Sequence, residues 1–427
     1  MKSRIIKVLL VFGTRPEAIK MAPIIRELRA ESSPEEWPSP RLNSKDKDIQ
    51  RGKDSTPVPS AGATGQARQA KFKVVVCVTA QQREMLDQVL DLFDINPDYD
   101  LDIMTKRQSL SSLTASVLLG VTGVLEREHP DIVFVQGDTT TTFAAAQAAY
   151  YLKIPVAHIE AGLRTGNRYS PFPEEINRRL TSVMSDFHFA PTEGAKRNLI
   201  EEGFDESSIY VTGNTVIDAL MTVVSGQKSV GRQKELNKYF REKWNLALRN
   251  DTKKSKLILV TGHRRESFGE GFKRICEGLR MLAGNNHDIQ IVYPVHLNPN
   301  VQEPVYSILG DVDNIHLIPP LDYEPFVFLM SQSYLILTDS GGIQEEAPTL
   351  RVPVLVMRDT SERPEGIEAG SARLVGTDVK TIVAETQKLL NNSDEYKHVS
   401  NVVNPYGDGK ASKRIVRIIS EYFGGHK

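Results

Sequence analysis

The sequence predicts an α/β protein composed of two doubly wound domains that face a shared cleft. Its 427 residues, 40% of them hydrophobic and 25% charged, suffice for two or three domains with substantial cores. Short apolar runs alternate with helical patterns along most of the chain, which is typical of parallel sheets covered by helices on both faces. The stretch 227–255 is instead rich in Lys, Arg, Asn and Glu, and it indicates a division between two such units.

The individual elements follow from these patterns in chain order. Apolar runs predict strands at 5–12, 73–78, 131–135, 155–159, 187–189, 256–260, 289–293, 334–337 and 353–357. Amphipathic patterns between them predict helices, of which the clearest are 18–29, 84–92, 139–152, 174–183 and 411–422.

The domain boundary is expected near Gly213, directly before the polar stretch. This gives an N-terminal domain of residues 1–213 and a C-terminal domain of residues 214–404, with a final helical segment, 405–427, that returns to the first domain. Residues 32–69 lack apolar periodicity and predict a disordered or loose surface insertion. Doubly wound domains bind ligands at the carboxyl ends of their strands, so the cleft is the expected site.

Composition excludes several classes of function. The net charge of -1 offers no basic field for nucleic acid or for an acidic membrane surface. Cys77 and Cys276 are far apart, which argues against a disulfide framework or a zinc site, and no metal site is expected. The N-terminal apolar run contains Lys7 and lacks a cleavage pattern, so it is interpreted as a buried strand; no run is long enough to span a membrane. A cytoplasmic location is expected.

The most informative motif follows the strand 334–337. In the sequence TDSGGIQEE, Ser340, Gly341 and Gly342 form a turn into a helix, where backbone N–H groups and the helix dipole favour a phosphate. Glu345 and Glu346 follow one turn later, and a carboxylate there would repel a bare phosphate. The motif therefore predicts a larger ligand, such as a nucleotide-sugar, with its ribose at a carboxylate.

Polar residues follow three predicted strands of the N-terminal domain, 5–12, 131–135 and 155–159. Arg15 and Lys20 lie at the start of the first predicted helix, where they could clamp a diphosphate or form an ordinary solvated pair. Asp138 and Glu160 end neighbouring strands and form a candidate acid/base pair, although Asp138 could simply be the N-cap of the next helix.

Further candidates come from three other loops. Glu174 and Arg178 lie four residues apart on a predicted helix. They could take part in the site, or they could simply form an ion pair with each other. His263, before two arginines, could donate a proton to a leaving phosphate oxygen, whereas His296 is more simply a histidine satisfied by a carbonyl of its loop. Arg363 could reach the same ligand or lie exposed.

Several known catalytic motifs are absent from the sequence. There is no P-loop, no HExxH, no nucleophile elbow and no paired CxxC. No GxGxxG follows the first strand, so a bound nicotinamide or flavin is not expected, and no cofactor is predicted.

Taken together, the motifs resemble those of the non-hydrolysing UDP-N-acetylglucosamine 2-epimerases. The matching strings run from Arg4 to the final helix, with the exception of 32–69, and they are FGTRPEAIKMAP, VCVTAQQREMLDQVL, VQGDTTTT, HIEAGLRTG, PFPEEINRRL, TGNTVIDAL, TGHRRES, YPVHLNP, TDSGGIQEEAP, RDTSERPEG and NPYGDGKAS. The resemblance implies two Rossmann-like domains in the arrangement called GT-B, a homodimer, and reversible conversion of UDP-GlcNAc to UDP-ManNAc for surface-polysaccharide precursors.

The resemblance also implies roles for individual positions. The residues that it marks as catalytic are Asp138, Glu160, Glu174 and His263. Those that it places against the substrate are Arg15, Lys20, Asp138, Glu160, Arg178, His263, Leu321, Phe326, Ser340, Gly341, Gly342, Glu346 and Arg363. Among these, Glu346 would bind ribose hydroxyls, and Leu321 and Phe326 would flank the uracil.

A second UDP-GlcNAc binds as an activator in bacterial members of the family, and the resemblance implies a corresponding site here. Its residues would be Gln81, Arg107, Glu174, Arg264 and His296. The chain departs from the family at Gln82, where a histidine is usual.

The expected chemistry is anti elimination of UDP to a 2-acetamidoglucal and its re-addition, because the C2 proton has no adjacent carbonyl to acidify it. The alternatives are a 2-epimerase acting on a UDP-diacetamido-uronic acid, a hydrolysing epimerase, a GT-B glycosyltransferase and a non-catalytic nucleotide-sugar sensor.

Overall fold

A computed structural model describes residues 5–32, 71–80, 83–105, 108–246, 248 and 255–425. The predicted insertion lies outside these residues from position 33 onward, as do Gln81, Gln82 and Arg107.

The N-terminal half of the described chain forms one parallel sheet of seven strands, ordered β3-β2-β1-β4-β5-β6-β7. Its strands are β1 (Ile5–Phe12), β2 (Lys71–Val78), β3 (Tyr99–Asp100), β4 (Ile132–Gln136), β5 (Val156–Ile159), β6 (Phe187–Ala190) and β7 (Ile209–Val211). Its helices are α1 (Arg15–Ser32), α2 (Arg83–Leu92), α3 (Leu110–Glu128), α4 (Thr140–Tyr151), α5 (Glu174–Val183) and α6 (Glu193–Glu201). Strands β4 and β5 are buried along their whole length, as expected for a sheet covered on both faces.

The C-terminal half forms a second parallel sheet of six described strands, ordered β10-β9-β8-β11-β12-β13. Its strands are β8 (Lys256–Thr261), β9 (Ile289–Pro294), β10 (Ile315–Ile318), β11 (Leu335–Thr338), β12 (Val354–Val356) and β13 (Ala372–Leu374). The remaining helices are α7 (Thr215–Gly226), α8 (Val230–Trp244), α9 (Glu270–Asn285), α10 (Pro299–Leu309), α11 (Tyr323–Gln332), α12 (Gly341–Glu346), α13 (Pro364–Glu368), α14 (Val379–Asn391), α15 (Ser393–Ser400) and α16 (Ala411–Gly425).

The predicted fold class, two doubly wound α/β units, is confirmed. All nine predicted strands are present, with ends that differ by at most two residues. The sequence did not reveal β3, β7, β10 and β13, which are the four edge strands of the two sheets. They contain two to four residues each, and such short, half-exposed segments carry little apolar periodicity.

The order of the strands in each sheet determines where neighbouring loops turn to opposite faces of the sheet. Strand β1 pairs with both β2 and β4, and β8 pairs with both β9 and β11, so each sheet reverses its winding direction at that point. The loops after β1 and β4, and those after β8 and β11, therefore diverge and leave a crevice at the carboxyl ends of the strands. Glu17 joins the first two loops, since its carboxylate accepts from Gly13 N at 2.9 Å and from Thr139 Oγ1 at 2.6 Å.

The chain crosses between the two halves twice, and the two crossings touch. Asn214 N donates to Tyr406 O at 2.7 Å, and Gly213 has a φ of +88°. A Cβ at Gly213 would lie 3.3 Å from Gly407 Cα, so a side chain there would be both strained and crowded. Beyond this point α16 packs on α1 and α7, and Asp218 of α7 accepts from the backbone N of Ser412 at 2.9 Å. The boundaries 1–213, 214–404 and 405–427 stay a prediction.

Among the described residues, no helix combines the length and the apolar character needed to cross a membrane.

Candidate active site

The Ser-Gly-Gly turn lies where β11 enters α12. Ser340 N donates to Thr338 Oγ1 at 2.9 Å, which shapes the turn. A Cβ placed on Gly341 would lie 3.7 Å from Arg363 Cζ and 3.9 Å from Arg264 Nη2, so two guanidinium groups adjoin this backbone. Backbone N–H groups and two cations around a residue without a side chain form a suitable environment for an anion.

Glu346 lies at the end of α12 and is buried. Its Oε1 accepts from the Tyr323 hydroxyl at 2.6 Å. Burial raises the pKa of the Glu346 carboxyl to about 7, although the Tyr323 hydrogen bond opposes the rise. One carboxylate oxygen is thus already held by a phenol, a contact that no local sequence pattern indicates.

Arg15 reaches across from the N-terminal half to the same region. Its Nη2 donates to Leu321 O at 3.5 Å. Burial lowers the pKa of Arg15, and the charges of Asp322 and Glu346 oppose the decrease. Arg15 and Leu321 therefore lie together beside Glu346, and Phe326 is half-buried in the adjoining α11.

His263 follows β8 and is oriented by Asp339, a buried residue that the sequence analysis did not select. The His263 Nδ1 lies 3.1 Å from Asp339 Oδ1, and Asp339 Oδ2 accepts from the backbone N of His263 at 2.7 Å and of Arg264 at 2.8 Å. Burial would raise the pKa of Asp339, but its hydrogen bond to His263 and the charge of that ring hold it below its ordinary value. An ionised Asp339 beside Nδ1 favours a proton on that nitrogen, which leaves Nε2 for chemistry.

His296 stacks on His263, with ring centroids 5.7 Å apart. Its Nδ1 accepts from the backbone N of Asn298 at 3.1 Å, so the histidine is satisfied within its loop by an N–H group instead of a carbonyl. Burial and the neighbouring His263 lower the pKa of His296. The lowered pKa favours the neutral ring, and because Nδ1 accepts a hydrogen bond, the ring proton lies on Nε2.

Glu160 is surrounded by two cations and an amide from three other parts of the chain. It directly follows β5 and has a φ of +66°, and the Lys20 Nζ lies 2.7 Å from its Oε1 and 2.5 Å from its Oε2. Gln136 donates to it, and Arg363 Nη2 lies 3.9 Å from its Oε1. Burial would raise the pKa of Glu160, but Lys20 and Arg363 outweigh burial and hold it below its ordinary value. Lys20, expected at a diphosphate, is directed at this carboxylate in the structure.

Asp138 lies at the same sheet edge as Glu160, as the strand pattern predicted. The interpretation of Asp138 as an N-cap is wrong: Thr139 caps α4 and its hydroxyl accepts from Thr142 N. Asp138 Oδ2 instead accepts from Arg178 Nη2 at 2.5 Å. Burial raises the pKa of Asp138, the charge of Arg178 opposes the rise, and the charge of Glu160 adds to it.

Glu174 begins α5 at the edge of this group. The simple explanation of an ion pair with Arg178 is not what the structure shows, because Arg178 bonds to Asp138 and lies 3.5 Å from Glu175 Oε2. Burial raises the pKa of Glu174, and the charge of Asp138 contributes in the same direction. Three neighbouring carboxyl groups with differently shifted pKa values can divide proton donation and acceptance between them.

Two residues that the sequence analysis left without a role complete the site. Glu345 is buried, and its Oε1 accepts from Arg363 Nε at 2.5 Å. Asn214 Nδ2 donates to Glu345 Oε2 at 3.1 Å and to Glu160 Oε1 at 3.3 Å, and so joins carboxylates from both halves of the chain. Asn214 lies within the TGNTVIDAL motif, but no local pattern shows that it lies opposite Glu345.

The structure thus brings the described candidates from both halves to one cleft. Of the five residues proposed for an activator site, Glu174, Arg264 and His296 lie around it, while Gln81 and Arg107 are outside the described residues. No group of three or more His, Cys, Asp or Glu residues in the described part of the chain could hold a metal ion.

Comparison with known proteins gives one consistent result. The family model for UDP-N-acetylglucosamine 2-epimerase matches residues 66–420. The UDP-N-acetylglucosamine 2-epimerase of Salmonella typhimurium is 51% identical over 416 residues, which cover 97% of this chain and 99% of the relative. That of Escherichia coli K12 is 51% identical over 413 residues, covering 97% and 98%. The crystal structure of the Neisseria meningitidis UDP-GlcNAc 2-epimerase, bound to UDP-GlcNAc, is 48% identical with a TM-score of 0.81, covering 97% of this chain and 99% of that chain.

Proposed function

The chain belongs to the UDP-N-acetylglucosamine 2-epimerase family, and from that membership we propose that it interconverts UDP-GlcNAc and UDP-ManNAc. One observation of the site carries the proposal furthest. The Ser340–Gly342 turn and the carboxylates of Asp138 and Glu160, whose pKa values are shifted in opposite directions, come from different halves of the chain, and Arg363 adjoins both Gly341 and Glu160. That arrangement suits a reaction in which a sugar loses and regains a diphosphate while one proton is exchanged.

The UDP moiety would bind mainly to the C-terminal half. Its diphosphate would lie at the Ser340–Gly342 turn beside Arg363, and its ribose hydroxyls would donate to Glu346. The uracil would lie against Leu321 and Phe326. Arg15 adjoins this end of the site and would close it from the other half.

Elimination avoids the barrier to direct deprotonation at C2. As a base takes the C2 proton, the C1–O bond breaks, its electron pair leaves with UDP, and a C1–C2 double bond forms. UDP then re-adds to C1 of the 2-acetamidoglucal while a second group delivers a proton to the opposite face of C2. The closed cleft and its cations keep UDP beside the sugar between the two steps.

The two proton-transfer roles follow from the directions of the pKa shifts. Glu160, held ionised by Lys20, is suited to accept the C2 proton of UDP-GlcNAc. Asp138, whose pKa is raised by burial, is suited to deliver the new proton. Glu174 borders this pair and offers a route for exchange with solvent. His263, fixed by Asp339, would supply a proton to the departing phosphate oxygen through Nε2.

Broader roles follow from the same proposal. We propose a homodimer that acts in the cytoplasm and supplies precursors for a surface polysaccharide. A second UDP-GlcNAc beside Arg264 and His296 would act as activator. The anion-binding residues of the two sites would then be neighbours, because Arg264 also adjoins Gly341.

The direct test is incubation with UDP-GlcNAc alone, followed by chromatographic identification of the products. The proposal predicts UDP-ManNAc at equilibrium with UDP-GlcNAc. Free ManNAc and UDP would identify a hydrolysing enzyme, and no reaction without an acceptor would identify a glycosyltransferase. Turnover of a UDP-diacetamido-uronic acid in preference to UDP-GlcNAc would assign the other 2-epimerase activity, and binding without turnover would identify a sensor.

The binding of UDP is expected to depend on pH through Glu346. Its raised pKa of about 7 means that the carboxyl is protonated below that pH and accepts ribose hydroxyls fully only above it. The Kd of UDP should therefore be about tenfold higher at pH 6 than at pH 8 on this account. Calorimetry on wild type and Glu346→Gln measures this. UDP itself titrates in both proteins, so the ratio of their Kd values reports only the pH dependence that is due to Glu346. A ratio that does not change with pH would contradict the assignment of Glu346 to the ribose.

A further inference from the structure

Arg363 presents three nitrogens to three different neighbours. Its Nε donates to Glu345 Oε1 at 2.5 Å, and its Nη1 donates to Glu362 O at 3.1 Å. Its Nη2 lies 3.9 Å from Glu160 Oε1 and 3.8 Å from the position that a Cβ would take on Gly341. Glu345 and Glu362 thus hold one side of the guanidinium, and the other side faces the turn and the sugar end of the cleft.

The backbone of both members of this ion pair, Glu345 and Arg363, is held by the segment around Tyr406, where the chain crosses between the halves for the second time. Asn404 Nδ2 donates to Glu345 O at 2.8 Å, and the Tyr406 hydroxyl donates to Arg363 O at 3.1 Å. Tyr406 is buried, and its hydroxyl also accepts from Gly366 N at 2.8 Å. The pair is therefore a fixed part of the cleft and not a mobile surface contact.

The amide of Asn214 is equally constrained. Its Oδ1 accepts from Val216 N at 3.1 Å as the N-cap of α7, so its Nδ2 must face Glu345 and Glu160. Both side-chain partners of the Glu345 carboxylate, Arg363 Nε and Asn214 Nδ2, are consequently donors. A carboxylate satisfies two donors with two oxygens, whereas an amide has one oxygen and would leave one donor unpaired.

We propose that Glu345 is a positioning residue that holds the Nε edge of Arg363, so that Nη2 is directed at the diphosphate bound by the Ser340–Gly342 turn. The inference rests on the proposed function, which places UDP at that turn. Glu345 does not touch the substrate in this account. It acts through Arg363. By orienting this cation between its own carboxylate and the diphosphate, Glu345 reduces the electrostatic repulsion between the two anions.

The direction in which Glu345→Gln changes the Kd of UDP shows whether Glu345 positions Arg363 or acts only through its negative charge. Glu345→Gln removes a negative charge near the diphosphate, and if charge alone mattered UDP would bind more tightly. If Glu345 positions Arg363, UDP binds more weakly, with a Kd about tenfold higher, because the charge-assisted contact from Nη2 is misdirected. In an Arg363→Gln background the same substitution should change the Kd less than about twofold, since the residue through which it acts is gone.

The experiment is calorimetry of UDP with wild type, Glu345→Gln, Arg363→Gln and the double variant. Glu395→Gln, which breaks the pair with Arg373 in the same half of the chain, is the matched control and should bind UDP as wild type does. Thermal unfolding confirms that each protein is folded. Unchanged or tighter binding by Glu345→Gln, or an equal loss in both backgrounds, overturns the inference. Absence of UDP binding by wild type would instead contradict the proposed function.

Discussion

Replacing Glu160 with glutamine is expected to lower kcat by about 10²- to 10⁴-fold, the usual contribution of a positioned general base. Glutamine keeps the shape of the side chain and the left-handed backbone of the residue, but it cannot accept the C2 proton. In the proposed complex UDP would be held mainly by the turn and by Glu346, so its Kd should change little. Steady-state kinetics and calorimetry measure the two quantities separately.

The substitution also leaves the buried Lys20 ammonium without its nearest counter-charge. Removing one partner of a buried ion pair costs about 3–5 kcal/mol of stability. A Lys20→Met/Glu160→Gln double variant removes both charges and should be more stable than Glu160→Gln, yet equally inactive. Glu202→Gln, which alters a pair with Arg164 on the same half of the chain, is the control and should retain activity. Activity within threefold of wild type in a folded Glu160→Gln protein would exclude Glu160 as the base.

Asp339→Asn is expected to lower kcat on the order of 10²-fold or more, by analogy with the loss of a carboxylate that orients a catalytic histidine. The asparagine Oδ1 can still accept from the backbone N–H groups of His263 and Arg264, so the loop should keep its shape. Its Nδ2, however, donates to His263 Nδ1 and moves the ring proton to Nε2. The imidazole then lacks the carboxylate that stabilises its protonated form during transfer to the phosphate oxygen.

The control is Asp378→Asn, because Asp378 also accepts from a backbone N–H, at the start of α14, and lies outside the cleft. It should leave kcat unchanged. Rescue provides a second readout. A UDP-sugar analogue with a better leaving group needs less proton donation, so Asp339→Asn should approach wild type with it. An equal loss with both substrates would show that Asp339 supports the structure only.

Much of the site could be predicted because parallel strands end at the same edge. That rule placed Asp138 beside Glu160 from chain positions alone. The Ser340–Gly342 turn was likewise visible in the sequence, since a strand, two glycines and a helix occur consecutively. Patterns of consecutive residues are therefore sufficient to locate strand ends and glycine turns that could bind a phosphate.

The contacts that could not be predicted join residues far apart in sequence. Lys20 and Glu160 are separated by 140 positions, and Asn214 and Glu345 by 131. A lysine near a helix N-terminus indicated an anion, but only the packed structure shows that this anion is a carboxylate of the protein. Asp339 was similarly hidden, because a polar residue between a strand and a glycine turn resembles any loop residue.

The most direct test of the elimination mechanism is the reaction of UDP-GlcNAc in heavy water. On the proposed mechanism Glu160 would remove the original C2 hydrogen, and Asp138, once its proton has exchanged with solvent, would deliver a different one to the other face. Mass spectrometry and proton NMR should therefore show one deuterium at C2 of the UDP-ManNAc formed. Retention of the original hydrogen at C2 would contradict elimination and the division of roles between Glu160 and Asp138.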